Sequence, residues 1–362
     1  MSSEATQREA RLAPTKNMIA LENPIKGLIF TAGCQRSGTS MVHRLLSGHP
    51  DVHGVHTEWG LIFDRYDSLA QYTGIKEPKT TADVVSVLAA ILPYSHHQKW
   101  DLDVEDVADL AERFEPSWDA VFLTAIAGVQ RKSGDKLVAL KRPEREGFLP
   151  KLKALFDGMD KPIRFVYCVR HPFDVYLSWK HRLLAWRGRD EADPRPARWC
   201  NSWLKSIEGL LAAHYMFADQ ICVVRFEDVI ANPEIEVTKL CEFLRLDSCV
   251  AEMVKQLDSH QANSSFQKTT ERPKVAGGVI DMNSRDRELA DWEADAIREL
   301  CGDHAKLFGY DLGASQPSQR HSSFVHQMHL ETVPTMAMLK HGSRIIARRV
   351  WSTRLFGRKQ AT

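Results

Sequence analysis

A chain of 362 residues can bury a substantial core, as one large domain or two modest ones, without disulfide or metal staples. With 43% hydrophobic residues, 26% charged residues and a formal net charge of +1, its composition is that of an ordinary globular protein, which excludes a global electrostatic pull toward nucleic acid. The seven cysteines are scattered and form no CxxC pair, so neither a disulfide framework nor a zinc site is indicated and a reducing compartment fits best.

Residues 1–24 read as a flexible polar arm that ends near Pro24. They lack the apolar core of a signal peptide, and no later run is long enough to cross a bilayer, so a cytoplasmic location is the expectation. "GLIFTAG" follows as a short buried strand, because an apolar run bounded by glycines is too short for a helix. A helix then begins near Thr39, gathers Met41, Val42, Leu45 and Leu46 on one face, and stops where Gly48 and Pro50 break it.

Between residues 60 and 135 the apolar spacing is largely helical, as in "TADVVSVLAAIL" and "WDAVFLTAIAGVQ". We read it as a helical insertion on the ligand side of a sheet, shaping an acceptor site or simply covering the strands. Further strands are expected at Leu137 to Leu140, Ile163 to Val169 and Ile221 to Phe226, separated by helical segments. That alternation predicts an α/β fold with a mainly parallel central sheet flanked by helices, spanning residues 25–312.

The remaining segment, 313–362, is a basic tail, with no Asp or Glu after Glu331 but seven Lys and Arg from Lys340 to Lys359. Its apolar residues scatter around the helical wheel, so contact with a membrane surface is at most weak, and a flexible or partner-docked tail is an equal alternative.

The sharpest signal is "GCQRSGTS", from Gly33 to Ser40, which has the glycine spacing of a nucleotide-binding loop between a strand and a helix. Thr39 stands where the triphosphate-binding lysine belongs, and positive charge sits at Arg36 inside the loop. A guanidinium there can fork onto phosphate or bridging oxygens. A magnesium-using enzyme of this type normally ends a neighbouring strand in aspartate, whereas "IRFVYCV" ends in Arg170. Pro172 suits the first position of the next helix, and Ser178 follows in its early turns. Arg170 and Ser178 can converge on a second phosphate.

In these two motifs the chain resembles the sulfotransferases that use 3′-phosphoadenosine 5′-phosphosulfate (PAPS), over about Gly27 to Tyr310. The loop resembles the family's PRSGT or PKSGT segment, with Gln35 after Cys34 where a proline often stands. Softer agreement lies in "LKRP", "VVRFEDVIANPE" and "CGDHAKLFGY".

The resemblance implies a P-loop-like sulfotransferase fold and in-line transfer from PAPS to a hydroxyl acceptor, a carbohydrate or glycan-bearing small molecule, leaving adenosine 3′,5′-bisphosphate and requiring no metal. It also implies that Ser37, Gly38, Thr39 and Ser40 hold the 5′-phosphate, that Arg36 supports charge on the bridging oxygen, and that Arg170 and Ser178 bind the 3′-phosphate. Glu58 is the first candidate for the general base and His56 the second, with Glu58 at a helix start before Trp59 as the ordinary alternative. Lys141 can assist the sulfuryl group or be a surface lysine. Lys274 and Gly277, in the basic glycine-rich "RPKVAGGVIDMNSRDR", suit donor phosphates. A degenerate P-loop kinase and a donor-binding protein without catalysis are the competing readings.

Overall fold

The computed structural model describes residues 24–58, 66–95, 102–144, 146–157, 163–187, 195–258 and 289–313. Five strands are present among them: β1 (Leu28–Ala32), β2 (Val52–Glu58), β3 (Leu137–Lys141), β4 (Arg164–Val169) and β5 (Ile221–Arg225). They form one sheet in the order β2-β3-β1-β4-β5, and every neighbouring pair is parallel. The α/β fold with a parallel sheet flanked by helices is the one that the alternating pattern predicts.

Each strand buries both faces, as a parallel sheet requires. Leu28 and Phe30 of β1, Val138 and Leu140 of β3, and Phe165, Tyr167 and Val169 of β4 point into one core. Their neighbours Ile29, Ala139, Val166 and Cys168 point into a second core on the opposite face. This period of two follows from the alternation of side chains along a strand.

Helix α1 (Thr39–Ser47) puts Met41, Val42, Leu45 and Leu46 into the second core, the stripe that its sequence predicts. The stretch between β2 and β3 contains α2 (Tyr66–Thr73), α3 (Thr81–Ser95) and α4 (Trp118–Lys132). Ser117 caps α4, its hydroxyl accepting the N–H of Ala120, and the helix is buried from Ala120 to Gln130. It therefore builds the core beneath β3.

After β3 come α5 (Leu149–Leu155), β4 and then α6 (Pro172–Arg187), with Pro172 at its first position as expected. Helix α7 (Pro196–Phe217) buries Trp199 and Trp203, so these two tryptophans are core residues. Beyond β5 lie α8 (Phe226–Ala231), α9 (Pro233–Leu244), α10 (Val250–Asp258) and α11 (Asp291–Lys306). None of the described helices is long and apolar enough to cross a membrane.

Strand β2 is a structural finding that the apolar pattern does not predict. Its buried residues, Val52 and Val55, are three apart and enter opposite cores, with polar residues or glycine at the positions between them. With one apolar residue per face, the segment shows neither an apolar run nor a two-residue alternation; its pairing with β3 also shifts register between Gly54 and Glu58. Glu58 is the last residue of this strand, and the helix start before Trp59 that is its alternative reading lies outside the described residues.

Candidate active site

The chain leaves β1 through a loop whose backbone only glycine can follow at two points. Gly33 has φ 140°, and a Cβ on it would meet the Cys168 carbonyl oxygen at 2.5 Å. Gly38 has φ 97°, and a Cβ there would meet the Phe226 ring at 2.5 Å. Such close approach is what brings a backbone against a ligand or a neighbouring wall. Arg36, between them, is also left-handed at φ 75°, an uncommon conformation for a residue with a side chain.

The N–H of Ser37 closes the loop onto the Cys34 carbonyl at 3.2 Å. Its hydroxyl is 1% exposed and has no hydrogen-bond partner, although a buried hydroxyl ordinarily has one. Helix α1 begins immediately after; the Met41 N–H already donates to the Gly38 carbonyl at 2.8 Å, whereas the earlier amides of a helix have no intrahelical acceptor. Free amides, the positive end of a helix and an orphaned buried hydroxyl together suit a phosphate or sulfate oxygen.

Side chains from two strand ends and from helix α6 meet this loop. Arg36 Nε donates to Ser178 Oγ of α6 at 3.0 Å, which joins the two anion motifs directly. Arg170, at the end of β4, approaches the Arg36 carbonyl with Nη1 at 3.5 Å and lies 4.2 Å above the Phe226 ring, a cation–π distance. It also pairs with Asp174 at 3.8 Å, and both side chains are buried. Lys141, the last residue of β3, donates from Nζ to Ser40 Oγ at 3.0 Å. A cation thus reaches the loop from the adjacent strand, although Thr39 stands in the usual lysine position.

The base candidates sit across this edge. In the β2–β3 register Glu58 pairs with Lys141, so the ends of these two strands are adjacent, and His56 belongs to the same strand. Lys274 and Gly277 lie outside the described residues, as does the basic tail.

Three contributors escape sequence reasoning. Glu146 is buried and accepts the Gly33 N–H at 2.9 Å. Burial pushes its carboxyl up to about 7, with the charge of Glu144 adding to the shift and hydrogen bonds from Ser206 and Gly33 opposing it. Phe226 is the wall against Gly38 and the platform under Arg170. Glu227 accepts the His171 N–H at 2.8 Å and the Tyr310 hydroxyl at 2.6 Å, fixing the turn after Arg170. Phe226 and Glu227 belong to the softer segment "VVRFEDVIANPE", and Tyr310 to "CGDHAKLFGY"; Glu146 has no such signal.

Among curated proteins none matches the chain in sequence. Several solved structures are similar at low identity. The sulfotransferase domain of the Synechococcus PCC 7002 olefin synthase is 20% identical with a TM-score of 0.49, over 82% of this chain and 98% of that one. Sulfotransferase STF9 from Mycobacterium avium is 13% identical with a TM-score of 0.44, over 86% and 82%. Mouse sulfotransferase SULT7A1, complexed with PAP, is 13% identical with a TM-score of 0.39, over 84% and 88%. The sequence model of the sulfotransferase family matches residues 29–249. That match covers more than half of the chain and contains the loop, Lys141, Arg170 and Ser178; the chain belongs to the sulfotransferase family, whose activity is sulfuryl transfer.

Proposed function

We propose that this protein transfers the sulfuryl group of PAPS to a hydroxyl of a small molecule, with carbohydrates and glycan-bearing compounds the first acceptor class to test. The observation that carries the reading is the Arg36–Ser178 hydrogen bond. It makes one continuous polar surface of the phosphate loop and the second anion motif, as a donor with a phosphate at each end of its nucleoside requires.

In this reading the amides of Gly38, Thr39 and Ser40 and the Ser37 hydroxyl hold the 5′ end, while Arg170 and Ser178 hold the 3′-phosphate. The acceptor oxygen attacks sulfur and gives its proton to Glu58, or to His56. As the new S–O bond forms, the S–O bond to adenosine 3′,5′-bisphosphate breaks, and its electron pair goes to the departing phosphate oxygen. Arg36 and Lys141 stabilise that growing charge from fixed positions. The donor-closing role of Lys274 and Gly277 belongs to the same proposal.

A kinase reading is disfavoured by Thr39 in the lysine position and by Arg170 in place of a metal-binding aspartate. The test is calorimetric titration with adenosine 3′,5′-bisphosphate, followed by PAPS turnover on an acceptor panel. Binding without magnesium and turnover on a hydroxyl acceptor are expected. Arg36→Ala should lower kcat by about a hundredfold or more, the scale for losing one preorganised donor to a developing anion, and leave the melting temperature nearly unchanged. Wild-type turnover in that variant would remove Arg36 from the mechanism. Binding without transfer to any acceptor would favour a donor-binding protein.

A further inference from the structure

The segment that follows β3 continues the sheet pairing past the end of β1. The Arg142 N–H donates to the Thr31 carbonyl at 3.0 Å, and the Glu144 N–H donates to the Gly33 carbonyl at 3.1 Å. The next group in this zipper is the Gly33 N–H, whose partner is a side chain, Glu146 Oε1 at 2.9 Å. A second cross-brace, Gln35 Nε2 to Glu144 Oε2 at 3.0 Å, ties the same segment to the body of the loop. Gly33 cannot shift toward β4, because the Cys168 carbonyl already occupies that side.

The protein makes room for this carboxyl. Gly209 of α7 faces it, and a Cβ at that position would lie 2.6 Å from Glu146 Cβ. Ser206, one turn earlier on α7, is hydrogen-bonded to it and to the Tyr167 hydroxyl of β4, the latter at 2.8 Å. The remaining ionisable neighbours are Glu144 on the same segment and Cys34 on the loop, whose thiol burial pushes far up. Placing a carboxyl in such surroundings is costly, and of its hydrogen bonds, to its own backbone N–H, the Ser206 hydroxyl and the Gly33 N–H, only the last reaches the loop.

We propose that Glu146 is a positioning residue for the donor loop, taking the place of a sheet partner at Gly33 and holding the loop in its anion-binding conformation. It acts through Gly33 and touches no reacting atom. The functional consequence rests on the donor reading above, whereas the structural consequence does not.

The experiment compares wild type, Glu146→Leu and Glu146→Gln by two measurements: hydrogen exchange of the Gly33–Gly38 amides without ligand, and titration with adenosine 3′,5′-bisphosphate. Losing a buried charge-assisted acceptor should speed loop exchange and weaken bisphosphate binding by about tenfold or more in Glu146→Leu. The glutamine retains an acceptor oxygen and should restore both to within about threefold. With PAPS as substrate, Glu146→Leu should raise the donor KM and leave the acceptor KM unchanged, a split that general loss of stability would not produce.

Wild-type exchange at the loop in a folded Glu146→Leu protein would overturn the proposal, as would a glutamine variant as impaired as the leucine. If Glu146→Leu does not fold, Glu146→Asp replaces it, since its shorter side chain withdraws the acceptor from Gly33 while keeping the charge. Failure of wild type to bind the bisphosphate would count against the donor reading, and loop exchange would still decide the role of Glu146.

Discussion

Glu146 is held in the folded protein with its carboxyl raised from 4.5 to about 7, chiefly by burial. A group of this kind binds more protons folded than unfolded, so it lowers stability as pH rises through the interval between those two values. The contribution is absent below pH 4.5, grows up to about pH 7 and is constant above it. For a shift of this size the linkage amounts to about 3 kcal/mol. Glu146→Gln should therefore gain on wild type by about that amount between pH 4 and pH 8 when both are unfolded in urea. An equal response of the two proteins to pH would show that the carboxyl is solvated and unshifted. The residue also marks a boundary of what sequence can say. Arg36, Thr39, Arg170 and Ser178 are legible from spacing relative to a strand and two glycines, whereas Glu146 is one of several charges in "KRPEREG" with nothing local to mark it. What buries it, Gly209 and Ser206, lies on α7, far along the chain.

At the scale of elements, helix α6 carries Ser178 and must be held firmly if that hydroxyl is to meet Arg36. Its anchor is Glu293 of α11, which is 2% exposed. The Glu293 carboxylate accepts from Lys180 Nζ at 2.8 Å and from the Tyr176 hydroxyl, both on α6, and from the N–H of Ala290 at the start of its own helix. Removing one partner of a buried ion pair strands the other, so Glu293→Ala should cost about 3 kcal/mol or more in a urea midpoint measurement. Because the anchor also orients α6, bisphosphate affinity should fall with it. A variant of unchanged stability would mean that the packing of Trp199 against Tyr176 suffices. The elements themselves were largely readable: four strands are short apolar runs, and α1 announces itself by its stripe and its glycine stop. Strand β2 was hidden by having only Val52 and Val55 as apolar residues, one on each face, and the stretch from residue 60 to 135 reads as helical without revealing that α4 is core.

For the molecule as a whole, strand order decides which charges meet. The sequence β2-β3-β1-β4-β5 sets the carboxyl ends side by side as Glu58, Lys141, the Gly33–Gly38 loop, Arg170 and Arg225. In open α/β sheets that edge is where ligands bind. Spacing along the chain predicts the loop and Arg170 separately, but only the parallel pairing puts Lys141 on Ser40 and ends β2 beside it. The edge presents lysine and arginine where a magnesium-dependent enzyme of the nucleotide-loop type has an aspartate; in the proposed function the protein's own cations neutralise the ligand. Binding of adenosine 3′,5′-bisphosphate should therefore be the same with magnesium or with a chelator, should weaken as salt rises, and should exceed binding of magnesium-ATP. Arg170→Ala should reduce it by about tenfold to a hundredfold, the loss expected for charge-assisted hydrogen bonds to one phosphate. Adenosine 5′-phosphate, which lacks the 3′-phosphate, should bind wild type weakly and be almost indifferent to Arg170→Ala. Equal losses for the two nucleotides would place Arg170 at the 5′ end and reverse the orientation of the donor along this edge.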